Sequence, residues 1–112
     1  MKQLLIITLI CLSLMPLQAE ESYPSQQKIK KLQYAQKVFR KKLQRRCGYT
    51  AAHWAQQHTK VEWKIFQTSG TFKDEFAHMC PKGMKVAKDK WMEPLYLFAT
   101  EYAKDSGNRP RC

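Results

Sequence analysis

The sequence predicts an all-α fold, a small bundle of four or five helices with one disulfide, and three observations predict it. Apolar residues recur at spacings of three and four along several stretches, which is the period of a helix with one buried face. Threonine and glycine residues of the kind that cap helices stand at the ends of these stretches. The alternation of polar and apolar residues that is typical of a half-buried strand does not occur.

The first residues have the order of a secretory signal peptide. Lys2 supplies one positive charge, an apolar run extends from Leu4 to Met15, and Ala19 is a small residue suited to cleavage. The run is shorter than the ~20 apolar residues that a membrane-spanning helix needs. We therefore expect residues 1–19 to be removed on export, leaving residues 20–112 as a single basic helical domain without a membrane span. Its expected location is the periplasm, with secretion to the medium as the alternative.

The longest helix is predicted from Gln26 to Arg46, because this stretch contains neither glycine nor proline. Gly48 is expected to end it, since glycine is the usual residue just past a helix. One face carries an apolar stripe formed by Ile29, Leu32, Ala35, Phe39 and Leu43. The opposite face is basic, with Lys30, Lys37, Arg40, Lys41 and Arg45.

Shorter helices are predicted in the middle of the chain. Residues 49–58 hold three alanines and one tryptophan and indicate a short helical stretch. Thr59, followed three residues later by Glu62, has the pattern of a capping box, which predicts a helix from Lys60 to the Ser69-Gly70 pair. Another helix should follow at once, with Thr71 as its cap and Pro81 just beyond its end.

The last helix is predicted from apolar residues that step by three and four between Met84 and Tyr102. Pro94 lies within this pattern. It must therefore either kink the helix or begin a new one, because proline is tolerated in the first turn of a helix. Large apolar side chains at helical spacing are more typical of a core than of a ligand site. The predicted core consists of Trp54, Trp63, Phe66, Phe72, Phe76, Trp91, Leu95 and Phe98.

The charge is strongly basic and unevenly distributed. The chain has 20 Lys and Arg against 9 Asp and Glu, and residues 22–59 contain nine of the basic residues and no acidic one. A cationic amphipathic helix can be merely solvated, or it can contact anionic lipid, nucleic-acid phosphates or an acidic protein groove. We predict an accessory or binding protein that engages an acidic protein or an anionic envelope surface, and no nucleic acid, because no nucleic-acid-binding motif is present. The residues predicted to bind this partner are Lys30, Lys37, Arg40, Lys41 and Arg45.

Three cysteines, Cys47, Cys80 and Cys112, lie in the predicted mature domain. An exported protein meets an oxidising compartment, so one bridge among them is expected, and the odd number leaves one cysteine over. The spacing does not determine which two residues pair. We expect Cys112 to take part, because a C-terminal tail would otherwise fray. No C-x-x-C motif of the thioredoxin type is present.

A periplasmic metal-handling protein of the copper type is the alternative function, because soft sulfur ligands and imidazoles lie near one another in the sequence. Their spacing matches no established metal site, so no cofactor or metal ligand is predicted. The candidate ligands for this alternative are His78, Cys80 and Met84; Met79 and Met92 add thioethers nearby, and His53 and His58 add imidazoles after Cys47.

Catalytic motifs are not recognisable in the chain. Cysteine and histidine together are the minimum for a thiol nucleophile, but three of each in the mature domain will occur by chance. The adjacent carboxylates Asp74 and Glu75 are explained as first-turn charges of a helix. We therefore predict that the protein is not an enzyme.

Four short motifs carry a resemblance. They are Cys47-Gly48-Tyr49-Thr50, the segment 58–63 with sequence HTKVEW, Cys80-Pro81, and the segment 105–112 with sequence DSGNRPRC. In these motifs the chain resembles short exported proteins of epsilon-type proteobacteria that have no assigned function. The resemblance covers the chain from Cys47 onward and implies export, but no activity, cofactor or site residue.

Overall fold

The long helix predicted from the charge and apolar pattern is present, in three segments of different winding. In the computed structural model, which describes residues 25–109, α1 (Gln26–Val38) continues into a π-helical turn (Phe39–Leu43) and then α2 (Gln44–Cys47). Ser25 caps α1 by accepting a hydrogen bond from the backbone N–H of Lys28 at 3.1 Å. Gly48 ends α2 with a φ of 82°, as predicted. The predicted signal peptide lies outside the described residues.

The π-helical turn allows the apolar stripe to stay on the core. Ala35, Phe39 and Leu43 follow one another at steps of four residues, which drift around a helix of 3.6 residues per turn. The wider π turn over Phe39–Leu43 takes up this drift, and both Phe39 and Leu43 are fully buried. The apolar pattern predicted a helix here but not its change of winding.

The remaining helices of the described region are α3 (Ala51–Ala55), α4 (Lys60–Thr68), α5 (Phe72–Met79), α6 (Pro81–Met84) and α7 (Asp89–Glu101). The capping box before α4 is confirmed, since the Thr59 hydroxyl accepts from the Glu62 N–H and the Glu62 carboxylate accepts from the Thr59 N–H. No strand occurs between residues 25 and 109, so the predicted all-α class is confirmed.

Two details of the helix predictions are wrong. The Thr71 side chain does not cap α5; its hydroxyl lies 2.8 Å from that of Ser69 instead. The last helix begins at Asp89 rather than near Met84, because the backbone N–H groups after α6 bond back over three residues and close a turn. Pro94 lies inside α7 and is itself buried.

The core is formed where α1 packs against α7 and the short helices close around it. Trp54 is fully buried at the centre of an aromatic cluster, with its ring 5.0 Å from that of Trp63 and 5.5 Å from that of Phe39. Of the predicted core residues, Phe66 alone is only half-buried, packed against the cluster, and the others are buried. Rings at these separations stabilise one another beyond the area that they bury.

One disulfide joins Cys47 at the end of α2 to Cys80 just before α6, with their Cα atoms 5.0 Å apart. The predicted single bridge is therefore confirmed. The expectation that Cys112 takes part is wrong, because Cys47 and Cys80 pair with each other. Cys112 itself lies outside the described residues.

Candidate functional site

Ion pairs divide the basic helix, defined as residues 26–47, into two unlike halves. In the N-terminal half, Lys28 Nζ lies 3.0 Å from Glu101 Oε2 and Lys31 Nζ lies 2.6 Å from Glu93 Oε1. Both carboxylates belong to α7, so the helix that packs on α1 also neutralises part of its charge. These pairs are exposed and add little to stability. Their effect is to leave the excess charge at the other end of the helix.

The C-terminal half carries what we call the basic cluster: Arg40, Lys41, Lys42, Arg45 and Arg46. All five side chains are exposed, and none forms an ion pair with another residue between 25 and 109. Cations near the carboxyl end of a helix are favoured by its dipole, which explains why one or two of them are tolerated there. Of the predicted partner-binding residues, Lys30 and Lys37 lie apart from this cluster on α1.

A cavity of about 520 Å³ lies between the basic cluster and the segment that leads into α7; we call it the basic cavity. Its lining is cationic on both sides and apolar at two points, and it includes no carboxylate. Trp91 is only 5% exposed, so it contributes little accessible surface to this lining. The lining residues are Lys41, Lys42, Arg45, Arg46, Val86, Lys88 and Trp91.

The disulfide holds the two walls of the basic cavity together. Cys47 directly follows Arg46 of the first wall, and Cys80 precedes α6, whose end leads into Val86 of the second wall. Gly83 of α6 is buried against the bridge. Lys88, the residue just before α7, places its ammonium group 5.9 Å from the centre of the Trp91 ring. This is a cation–π contact, and it orients the Lys88 side chain at the cavity.

Arg45 also lines a second cavity, of about 510 Å³, on the other side of α2. Tyr49 contributes to its wall and donates a hydrogen bond from its hydroxyl to the Met79 carbonyl oxygen at 2.8 Å. Burial raises the pKa of Tyr49 above its ordinary value, so the hydroxyl stays protonated and acts as a donor. The contact fixes the chain after α2 to the end of α5.

The structure does not assemble the candidate metal ligands into a site. Cys80 is wrong as a ligand, because its sulfur atom is bonded to that of Cys47 in the disulfide and is not a thiolate. His78 is exposed at the end of α5, and His53 lies beside Gln57 on the far side of α3. Within residues 25–109, no three His, Cys, Asp or Glu side chains are grouped so that they could hold a metal ion.

A histidine–carboxylate pair that sequence reasoning missed joins the start of α4 to α5. His58 Nε2 lies 2.6 Å from Glu75 Oε2, and the imidazole ring packs edge-on against Trp63 and Phe66. The His58 carbonyl oxygen also accepts a hydrogen bond from the Lys104 N–H at 3.0 Å. A carboxylate next to histidine can serve proton transfer. Here all of its contacts connect secondary-structure elements, and we assign it a structural role.

Five of the seven residues that line the basic cavity were not among the predicted partner-binding residues. Lys42 and Arg46 directly follow the predicted residues Lys41 and Arg45. They belong to the same run of basic residues, so the sequence pattern could have included them in the predicted site. Lys88 is brought to the site only by tertiary packing and no local pattern marks it, whereas Trp91 was predicted as a core residue and not as part of a site. No helix within the described part of the chain is both long and apolar enough to cross a bilayer. No protein-family model, no curated protein and no solved structure matches this chain.

Proposed function

We propose that this chain is an exported, non-enzymatic accessory protein that binds an acidic partner protein through its basic cluster. The observation that carries the proposal is the separation of charge along the basic helix. At one end, Lys28 and Lys31 are paired with carboxylates, whereas the five cations between residues 40 and 46 have no such partner in the described region. Concentrated charge of one sign favours association with a surface of the opposite sign.

An acidic protein is favoured over a membrane surface by the position of the apolar side chains. A helix that binds lipid inserts large apolar residues next to its cations. Here Phe39 and Leu43 are fully buried in the core. The large apolar side chains that are exposed in the described region are Tyr34, Val61 and Ile65, and none of them lies within the basic cluster. The cluster therefore presents cations on a rigid, non-inserting face.

Export is supported by two independent features. Residues 1–19 have the charge and apolar order of a signal peptide, which is a prediction from the sequence. Disulfides form and persist mainly in oxidising compartments, and the domain carries one between Cys47 and Cys80. An envelope or secreted partner is accordingly the one to seek.

The test compares two charge reversals on the same helix. The variant Lys41→Glu/Arg45→Glu changes the basic cluster, and the control Lys30→Glu/Lys37→Glu changes the net charge equally on exposed residues outside it. Chemical cross-linking in envelope extracts at physiological salt should capture the same partner with the native chain and the control. The cluster variant should lose it, while urea unfolding shows that both variants are folded.

Equal capture by all three chains would contradict the proposal, because the basic cluster would then be only a solvated face. Equal loss by both variants would also contradict it, since net charge rather than the cluster would carry the binding. Raising the salt concentration should weaken capture by the native chain, because exposed charges are screened beyond about 8 Å at physiological ionic strength.

A further inference from the structure

We infer that the basic cavity receives one acidic segment of the partner, in which carboxylate side chains flank a single apolar side chain. The inference rests on the proposed function and names the chemistry that the partner must present. It differs from a general attraction between charged surfaces, because it assigns the contact to one concave site with two walls. Lys88, which lies outside the basic helix, becomes part of the site.

The charges around the cavity favour an anion held between its walls. Four cations come from the basic helix, and Lys88 approaches from the opposite wall. Like charges around one cavity repel one another, and the repulsion is relieved when carboxylates enter between them. Arg45 and Arg46 add planar guanidinium groups, which match the two oxygens of a carboxylate.

The floor of the cavity favours an apolar group between those carboxylates. Val86 is half-buried and lines the cavity beside the largely buried Trp91, so the apolar surface available to a small aliphatic side chain is mainly that of Val86. The volume of about 520 Å³ lies in the range of ordinary ligand pockets, which accommodates a few side chains rather than a whole protein face. A short segment is therefore the occupant that fits.

The site is formed before the partner arrives. The Cys47–Cys80 bridge joins the wall that ends at Arg46 to the wall that begins after α6. Fixing both walls in advance removes part of the ordering cost of binding. This agrees with a receptor site of defined shape and not with a surface that adapts to any anion.

The experiment measures the binding of a fluorescently labelled Glu-Glu-Leu-Glu-Glu peptide by anisotropy at physiological salt. A Glu-Glu-Ser-Glu-Glu peptide serves as the comparison. Lys88→Gln is compared with the matched control Lys90→Gln, which removes the same charge from an exposed lysine two residues away that does not line the cavity. Lys88→Gln should weaken binding about five-fold, and the control should weaken it less than about two-fold. Replacing leucine by serine in the peptide should weaken binding about five-fold as well.

Equal effects of Lys88→Gln and Lys90→Gln would overturn the inference, because only diffuse charge would then be sensed. Equal binding of the two peptides would overturn its apolar part. Tighter binding to vesicles of anionic phospholipid than to either peptide, lost in Lys88→Gln, would make lipid the occupant and overturn it too. In each case the proposed function stands if cross-linked capture still depends on Lys41 and Arg45, and it fails separately if capture does not.

Discussion

Gly83 offers the sharpest test of how the disulfide is packed. It lies in α6, is buried, and does not have the positive φ that would itself require glycine. In an ordinary helical position, replacing glycine by alanine stabilises a protein by about 0.4–1 kcal/mol. Here a Cβ atom would lie 2.5 Å from Cys80 Sγ and 3.2 Å from Cys47 Sγ. The structure therefore predicts the opposite sign for Gly83→Ala.

The size of the expected loss of stability follows from the atoms that must move to admit a Cβ atom at Gly83. A carbon atom 2.5 Å from a sulfur atom is far inside van der Waals contact, so either the bridge or α6 must shift. Leu43 Cδ2 would lie 3.3 Å from the new Cβ atom, so the Cβ atom has little room to move away from the two sulfur atoms. Overpacking of this kind costs about 1–3 kcal/mol. After the gain in helix propensity, we expect a net loss of about 1–2 kcal/mol and a Tm lower by about 5–15 °C.

The assay is a double-mutant cycle measured by urea unfolding. Gly83→Ala is introduced into the native chain and into Cys47→Ala/Cys80→Ala, which lacks both sulfur atoms. Without the bridge the substitution should be neutral or stabilising, giving a coupling of about 1–3 kcal/mol between the glycine and the disulfide. Stabilisation of the bridged protein by Gly83→Ala, or the same cost in both backgrounds, would refute this account of the packing.

Reducing the Cys47–Cys80 bridge, whose cysteines are 33 residues apart, should lower the free energy of unfolding by about 3.5–4 kcal/mol. Urea unfolding of the Cys112→Ser variant, with and without reductant, checks this, and equal midpoints would contradict it. The backbone N–H and hydroxyl of Thr59 lower the pKa of Glu62, so stability from this carboxylate is present above its unfolded pKa of about 4.3 and is lost as the pH falls through the lower folded value. Glu62→Gln should therefore be less stable than the native chain at pH 7 and converge with it in acid; a constant difference across the titration would argue against the cap. Burial raises the pKa of Tyr49, so the native chain should lose stability as the pH rises above about 10, and Tyr49→Phe should lose less in the same series of unfolding curves.

Local patterns predicted local structure well. The capping box at Thr59 and the glycine stop at Gly48 depend on a few neighbouring residues, and both are present. Thr71 had a similar pattern but does not cap α5, because its backbone lacks the extended conformation of the Thr59 cap and its hydroxyl lies beside that of Ser69. The π-helical turn depends on where Phe39 and Leu43 must reach in the core, which no neighbouring residue indicates.

Tertiary features were predicted only in part. Domain size and expected compartment indicated one disulfide. Which cysteines pair depends on which helix ends meet in the fold, and the end of α2 meets the start of α6. Cys112 was expected to pair because a bridge would prevent its tail from fraying, but packing brings Cys80 to Cys47 instead. At the candidate site, Lys41 and Arg45 followed from the charge run, whereas Lys88 entered through the packing of α7.

The π-helical turn also sets the direction in which the charges face. Each residue of an α-helix advances by about 100° around the axis, so Lys37, Lys41 and Arg45, which follow one another at steps of four, would drift by about 40° per step on an uninterrupted α-helix. The wider turn at Phe39–Leu43 changes the helical phase of everything after it. Winding the same residues as a continuous α-helix would rotate both Arg45 and Cys47 about the axis, away from the direction in which Cys47 now meets Cys80. The same change of winding therefore sets both the orientation of the basic cluster and the closure of the disulfide. A change in this turn would alter both together.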